Sequence, residues 1–347
     1  MSVIASERVV RANPLRRLLV RPETGAVVGS IAVWIFFAII GVAQNNGFVS
    51  SRGTSSWLSV TAELAILAVP VALLMIGGEF DLSVGSMVGA SGMIIAILST
   101  QFGLNIWVSI VVALIFAVLV GVLNGYLVMR TRLPSFIVTL GTGYILLGTT
   151  TGVTSLVTNG LTVVNGLDQA PGYSSAHAIF ATALGGGQQY PIEIVWALAL
   201  VTLATWLLLG TSFGNWVFGV GGDANAARNT GVPVTRVKIL LFVGTALGAC
   251  LLAIIQDVTF TNADVLRGVG QEFYAIVAAV VGGVLLTGGY GSAIGAMFGA
   301  LVFGIVEEGI VFAGIDANWY KAFIGLILLL AVLLNSYVRK LAMEARR

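Results

Sequence analysis

The sequence predicts an all-α membrane protein of about ten transmembrane helices, interrupted by broken or re-entrant segments. Three observations carry this expectation. Of 347 residues, 58% are hydrophobic and only 9% are charged, against about a quarter charged in an ordinary soluble domain. So few charges cannot cover an aqueous surface, and lipid is the solvent that fits. The apolar residues fall in long runs separated by short polar breaks, and many of the 44 glycines sit inside those runs, where small residues let helix backbones approach.

A spanning helix needs about 17–25 mostly apolar residues. The runs place helices at 25–43, 58–76, 84–98, 106–129, 134–157, 192–209, 239–255, 273–286, 292–313 and 319–337. The first run is too long for a signal-peptide core and has no small-residue cleavage site, so it reads as a span. Residues 1–24 form a basic cytoplasmic tail, 25–338 one permease-like membrane domain, and 339–347 a second cytoplasmic tail. The polar, Gly-rich stretch 158–191 reads as an external loop with a short re-entrant piece. Cys250 and His177 are each single, so neither an intrachain disulfide nor a metal cluster is expected.

Charge placement sets the orientation. With the N-terminus inside, Arg8, Arg11, Arg16, Arg17, Arg21, Arg130, Arg132, Arg228, Arg236, Lys238, Arg339, Lys340, Arg346 and Arg347 fall on the cytoplasmic side, and only Arg52, Arg267 and Lys321 outside. Enrichment of Lys and Arg in cytoplasmic loops is the expected signal. Within the chain, Gly85-Ser86-Met87-Val88-Gly89-Ala90 echoes Gly291-Ser292-Ala293-Ile294-Gly295-Ala296. Both follow a Gly-rich break and start an outward helix, which fits either an internal repeat of the kind many transporters carry or two independent small-residue helix starts.

Three segments carry candidate function. In Gly77-Gly78-Glu79-Phe80-Asp81-Leu82-Ser83, two glycines end one helix and Asp81 or Ser83 can cap the next; in lipid, freed backbone groups need such partners. Capping alone accounts for these residue types, and a place in a translocation pathway is the alternative. In Asn124-Gly125 through Pro134-Ser135-Phe136-Ile137-Val138-Thr139, Arg130 and Arg132 mark a cytoplasmic edge and Pro134 opens a helix. Asn124 and Thr139 are pathway candidates, although Thr139 can equally bond its own helix. In Gly221-Gly222-Asp223 through Ala227-Arg228 to Gly231-Val232-Pro233, Asp223 caps a short helix that Gly231 and Pro233 stop. Such a helix is too short to be stable alone; it suits a groove on a partner protein, or lies solvated in its loop.

Together these segments resemble the permease subunits of bacterial ATP-binding-cassette importers for monosaccharides, the ribose and xylose permeases among them. The matches run over Gly78–Ser86, Asn124–Thr142, Gly221–Val232 and the glycine stretch Gly288–Gly295, and the likeness covers about residues 58 to 338. It implies an inner-membrane permease that works with a second permease copy, two cytoplasmic ATPases and a periplasmic solute-binding protein. It makes Gly221, Gly222, Asp223, Ala227, Arg228 and Gly231, within a loop of about 213–238, the coupling element that sits on the ATPase. No nucleic-acid partner is expected. The chain departs from the pattern at Glu307-Glu308-Gly309, where such permeases often carry an Asn-Asn pair, and in the long loop 165–190.

No Gly-x4-Gly-Lys-Ser/Thr occurs, and the only lysines are Lys238, Lys321 and Lys340, so ATP and Mg²⁺ are expected on a partner chain and no cofactor on this one. No covalent chemistry is expected either. Intramembrane carboxylates are functional candidates by default, which adds Glu63, Glu307 and Glu308 to the pathway candidates Asp81, Ser83, Asn124 and Thr139. Glu307 continues the stripe of Ala296, Ala300 and Gly304, which marks either a pathway wall or a close helix contact. The rival to an ATP-driven importer is a proton-coupled secondary transporter that uses these carboxylates.

Overall fold

The computed structural model describes residues 22–185, 190–327 and 329. The tails at 1–21 and 330–347, and the second half of the span expected at 319–337, lie outside the described residues. The helices are α1 (Pro22–Gln44), α2 (Ser51–Ile76), α3 (Val84–Thr100), α4 (Ile106–Thr131), α5 (Ser135–Val157), α6 (Tyr173–Phe180), α7 (Glu193–Gly210), α8 (Ser212–Gly222), α9 (Ala224–Asn229), α10 (Val234–Phe260), α11 (Gln271–Val281) and α12 (Ala293–Phe312), with further helix at 320–327. Seven of them, α1, α2, α4, α5, α7, α10 and α12, are long and apolar enough to cross a membrane. The protein is an all-α membrane protein.

Local chemistry explains the boundaries. Ser50 caps α2 by accepting from the Gly53 N–H, and Asn105 caps α4 by accepting from Trp107. Pro134 precedes α5 and Pro233 precedes α10, where a missing N–H is harmless. α4 ends on Arg132 and α10 on Thr261, both left-handed. The centre of the bundle is α2 and α10. α10 packs on α4, α3 and α2, and α12 packs on α2, α1 and α11.

The connections segregate to two ends. At one, Lys238 is paired with Glu79, the Gly289 N–H donates to the Ile76 carbonyl at 2.8 Å, and the Phe80 N–H donates to Ser135 Oγ at 2.9 Å. That end also holds Arg130, Arg132, Arg228 and Arg236, and is called the basic end. At the other, β1 (Val163–Asn165) pairs antiparallel with β4 (Asn262–Asp264), and β2 (Ala183–Leu184) with β3 (Tyr190–Pro191). There the Ile106 N–H donates to the Pro171 carbonyl, and Asn46 Nδ2 to the Phe312 carbonyl at 2.6 Å. The loop expected over 158–191 is a small folded cap built from β1, α6, β2 and β3.

The span expected at 273–286 differs. The helix there is α11, of only 11 residues, about 16 Å long at 1.5 Å per residue and too short to cross. Its missing half is the non-helical segment 265–270, which descends along α3 from the β-paired end. A Cβ on Gly89 would overlap the Val265 carbonyl, and one on Gly85 would overlap the Gly268 carbonyl. Only glycine at 85 and 89 lets this chain lie against the helix.

Candidate functional site

Two breaks in the helical ladder meet inside the membrane. The first enters from the basic end. α2 stops at Gly77 and Gly78, the latter left-handed at φ 83°, and residues 79–83 climb to the start of α3. Each step is caught by a side chain. The Phe80 N–H donates to Ser135 Oγ and the Leu82 N–H to Thr139 Oγ1, both at 2.9 Å. Asp81 closes the turn: Oδ1 accepts from the Ser83 N–H at 2.9 Å and from Ser83 Oγ at 2.6 Å, and Oδ2 accepts from Thr245 Oγ1 at 2.6 Å. Asn124 Nδ2 donates to Ser83 Oγ at 2.9 Å. Of the two capping candidates, Asp81 carries the bonds; Ser83 stands at the N-cap position without a side-chain cap bond. Asp81, Ser83, Asn124 and Thr139 are thus one network, all buried, tying α3 to α4, α5 and α10. Thr139 Oγ1 also donates to the Ser135 carbonyl, so it satisfies its own helix while it accepts from the loop.

The second break enters from the opposite end. Arg267 holds its top: Nη1 donates to Asp257 Oδ1 at 2.7 Å and to the Asn262 carbonyl at 2.6 Å, Nη2 bonds Asn262 Oδ1, and the guanidinium lies 5.3 Å from the Phe260 ring centroid. Below it, Gly268 meets Gly85, and Glu272 Oε2 accepts from the Gly270 N–H at 3.0 Å while lying against Gly85. The depth is set by Tyr274, whose ring centroid is 6.1 Å from that of Phe303, midway along the 20-residue α12. The first turns of α3 and α11 therefore meet near the middle of the bundle. Leu266, Val269 and Phe273 of this segment are exposed.

Four glutamates lie toward the β-paired end. Glu63 Oε2 accepts from Gln256 Nε2 at 2.6 Å, linking α2 to α10. Glu193 accepts from Ser59, linking α7 to α2. Glu307 bonds the Tyr320 hydroxyl, with Glu308 half-buried beside it. The Ala296–Ala300–Gly304 stripe is a close helix contact: a Cβ on Gly304 would overlap Thr61 Oγ1 and come within 2.6 Å of the Trp57 carbonyl.

At the basic end, Asp223 Oδ1 accepts from the Asn225 and Ala226 N–H groups at 2.8 and 3.0 Å and caps α9, and Gly231 ends it with φ 86°. Ala227 is buried and anchors α9, while Arg228 is exposed and donates to Asn225 Oδ1. Gly221 is wedged against the end of α2, where a Cβ would overlap the Ile76 carbonyl; Gly222 has open space. Gly288 sits on Gly221 and Gly78, so α9 begins one step from a three-way backbone junction.

Arg267, Asp257, Gln256, Glu193 and Glu272 are residues that sequence reasoning missed. A signal existed for the last: Gly268-x-Gly270-Gln271-Glu272 repeats the glycine-then-carboxylate order of Gly77-Gly78-Glu79-Phe80-Asp81.

A bundle of apolar spans broken twice at membrane depth, with a capped helix displayed at its basic end, defines a membrane transport permease. Residues 53–332 match the profile of the branched-chain amino acid transport system / permease component family, and the chain belongs to it. It is 30% identical to the ribose import permease protein RbsC of Escherichia coli (strain K12) over 88% of this chain and 92% of that one. It is 30% identical to the xylose transport system permease protein XylH of the same organism over 95% and 99%, and to its inner membrane ABC transporter permease protein YjfF over 88% and 90%. No solved structure matches significantly. The chain is a permease subunit of an ATP-binding-cassette importer, a transport protein and not an enzyme. The proton-coupled alternative finds no support in these relatives.

Proposed function

We propose that this chain forms the solute pathway of an ATP-driven importer for a neutral monosaccharide, and that the pathway runs along the face built by residues 265–273, the start of α3 and α5. One observation carries the pathway: the non-helical turn 265–270 lies near the middle of the bundle with the Leu266 and Val269 side chains exposed and Gly268 buried. Backbone outside a helix at this depth is tolerated where it lines a cavity or is buried in protein, and here the N–H groups of Leu266, Arg267, Val269 and Gly270 are met by Asp264, Leu266 and Glu272. By contrast, the exposed surface of α4, with Val111, Ile115 and Leu119, is regular apolar helix. α5 carries Gly141, Gly148 and Gly152 on its exposed side, where a Cβ would meet nothing within 4 Å.

The ribose and xylose permeases among the relatives support the sugar assignment. The partners follow from that class: a second permease copy across the pathway face, a periplasmic binding protein that delivers the solute, and cytoplasmic ATPases that hold ATP and Mg²⁺, with no cofactor here. α9 and its flanks (Gly221, Gly222, Asp223, Ala227, Arg228, Gly231) dock on the ATPase. Asp81, Ser83, Asn124 and Thr139 brace the pathway wall from behind, and Glu63, Glu307 and Glu308 serve the outer vestibule. Residues 25–338 act as one permease domain in the bacterial inner membrane. Both tails lie in the cytoplasm, because the basic end carries the Lys and Arg excess.

The test uses single cysteines in a Cys250→Ala background. An impermeant charged thiol reagent should label Val269→Cys in the assembled transporter and spare Leu119→Cys on α4. Equal protection of both positions overturns the pathway assignment.

A further inference from the structure

Glu272 is the one carboxylate of the outer re-entrant segment that faces the exposed surface near mid-membrane. Three facts bear on what it does. It is half-buried, next to exposed Phe273, with Oε2 lying against Gly85. Arg267, the cation of the same segment, is bound to Asp257 and Asn262, and among the described residues no ion pair joins Glu272 to a cation. Its carboxylate accepts from the Gly270 N–H and from its own backbone N–H, whereas a carboxylate offers about four lone-pair sites.

A charged group near the bilayer centre costs about 2.5–3.5 kcal/mol on insertion scales and is retained where water or a partner meets it. The first turn of α11 offsets part of that cost, since helix N-termini favour negative charge. The remaining lone pairs still need donors. Lipid has none, the protein leaves them open, and the groups that suit them are hydroxyls.

We propose that Glu272 is a solute-contacting specificity residue: it accepts hydrogen bonds from the hydroxyls of a neutral polyhydroxylated solute crossing the membrane, and its charge disfavours anionic solutes. Ser86 and Gln271, both half-exposed beside it, supply hydroxyl and amide groups at the same level. This rests on the pathway proposed above and adds the group that discriminates within it.

The experiment needs no knowledge of the natural solute. In the full transporter with its partner subunits, carrying Cys250→Ala and Phe273→Cys, the reaction rates of a cationic (trimethylammonium-ethyl) and an anionic (sulfonato-ethyl) methanethiosulfonate are compared. Glu272→Gln should lower the cation-to-anion rate ratio roughly tenfold, the effect of removing one charge within several ångströms at intermediate dielectric. Glu272→Ser provides a second neutral variant should the amide fail to assemble with the ATPase. A ratio unchanged in an assembled neutral variant overturns the proposal while leaving the pathway standing. If position 273 reacts with neither reagent, the pathway assignment fails, and the role of Glu272 with it.

Discussion

Replacing Asp81 separates bracing from solute contact. Its carboxylate is buried and takes three hydrogen bonds, from the Ser83 N–H, Ser83 Oγ and Thr245 Oγ1. Thr245 Oγ1 also donates to the Phe242 carbonyl at 2.8 Å, so it keeps a partner when Asp81 is lost. Asp81→Ala therefore strands chiefly the Ser83 N–H and one hydroxyl. At ~1–3 kcal/mol per buried unsatisfied group, the expected loss is ~2–6 kcal/mol. Asp81→Asn should cost much less: its carbonyl oxygen can still accept from Ser83, and its NH₂ can donate to Thr245 Oγ1, which turns its own hydrogen toward Phe242. The assay is the midpoint of heat-induced loss of the monodisperse, detergent-solubilised protein for wild type and both variants. A large drop for Asp81→Ala with a small one for Asp81→Asn is expected. Equal midpoints for wild type and Asp81→Ala would refute the bracing role.

The glycine junction at the basic end predicts opposite outcomes for neighbours. Gly221→Ala forces a methyl onto the Ile76 carbonyl and should lose roughly 1–3 kcal/mol by overpacking, whereas Gly222→Ala, with open space around it, should keep the wild-type thermal midpoint. Arg228→Glu, on the exposed face of α9, should lower ATP-dependent uptake several-fold with unchanged membrane levels, because like charges then face each other at the docking surface; normal uptake removes α9 from the coupling path. For the orientation, Ser174→Cys in the Cys250→Ala background should label with an impermeant reagent in intact cells and Asn225→Cys should not, and labelling at 225 reverses it. Glu307→Gln should retain expression, since Tyr320 can still donate to the amide oxygen; wild-type uptake in that variant places Glu307 in packing and outside the vestibule.

Much of this arrangement was legible in the chain because it is written in local chemistry. Asp223 before an Ala-rich turn and Gly231 after it are a cap and a stop in any context, and both act so. Gly77-Gly78 with Asp81 announced a break, since two glycines in an apolar run remove the ladder and a carboxylate repairs it. The Gly85 and Gly291 echo falls on two helices, α3 and α12, each following a glycine break and running away from the basic end. Whether one ancestor made both is a separate matter from the geometry they share.

The half-helix was hidden for a physical reason. Residues 273–286 are apolar whether they span or not, because in a membrane protein hydropathy reports the medium around a segment and says little about its backbone. What turns 265–270 into coil is its neighbour: Gly85 and Gly89 of α3 leave a groove that only a bare backbone fills, and Asp257 holds Arg267 at the top of it. The contacts with Gly85 and Gly89 join residues far apart in the chain, so no short window along the sequence contains them. The same holds for Glu307, whose stripe with Ala296, Ala300 and Gly304 fitted a pathway wall or a helix contact equally well. At Gly304 itself the stripe is a close contact, because Trp57 and Thr61 of α2 fill the space beside it. The solute route proposed above runs elsewhere, along the non-helical turn on which Leu266 and Val269 are exposed.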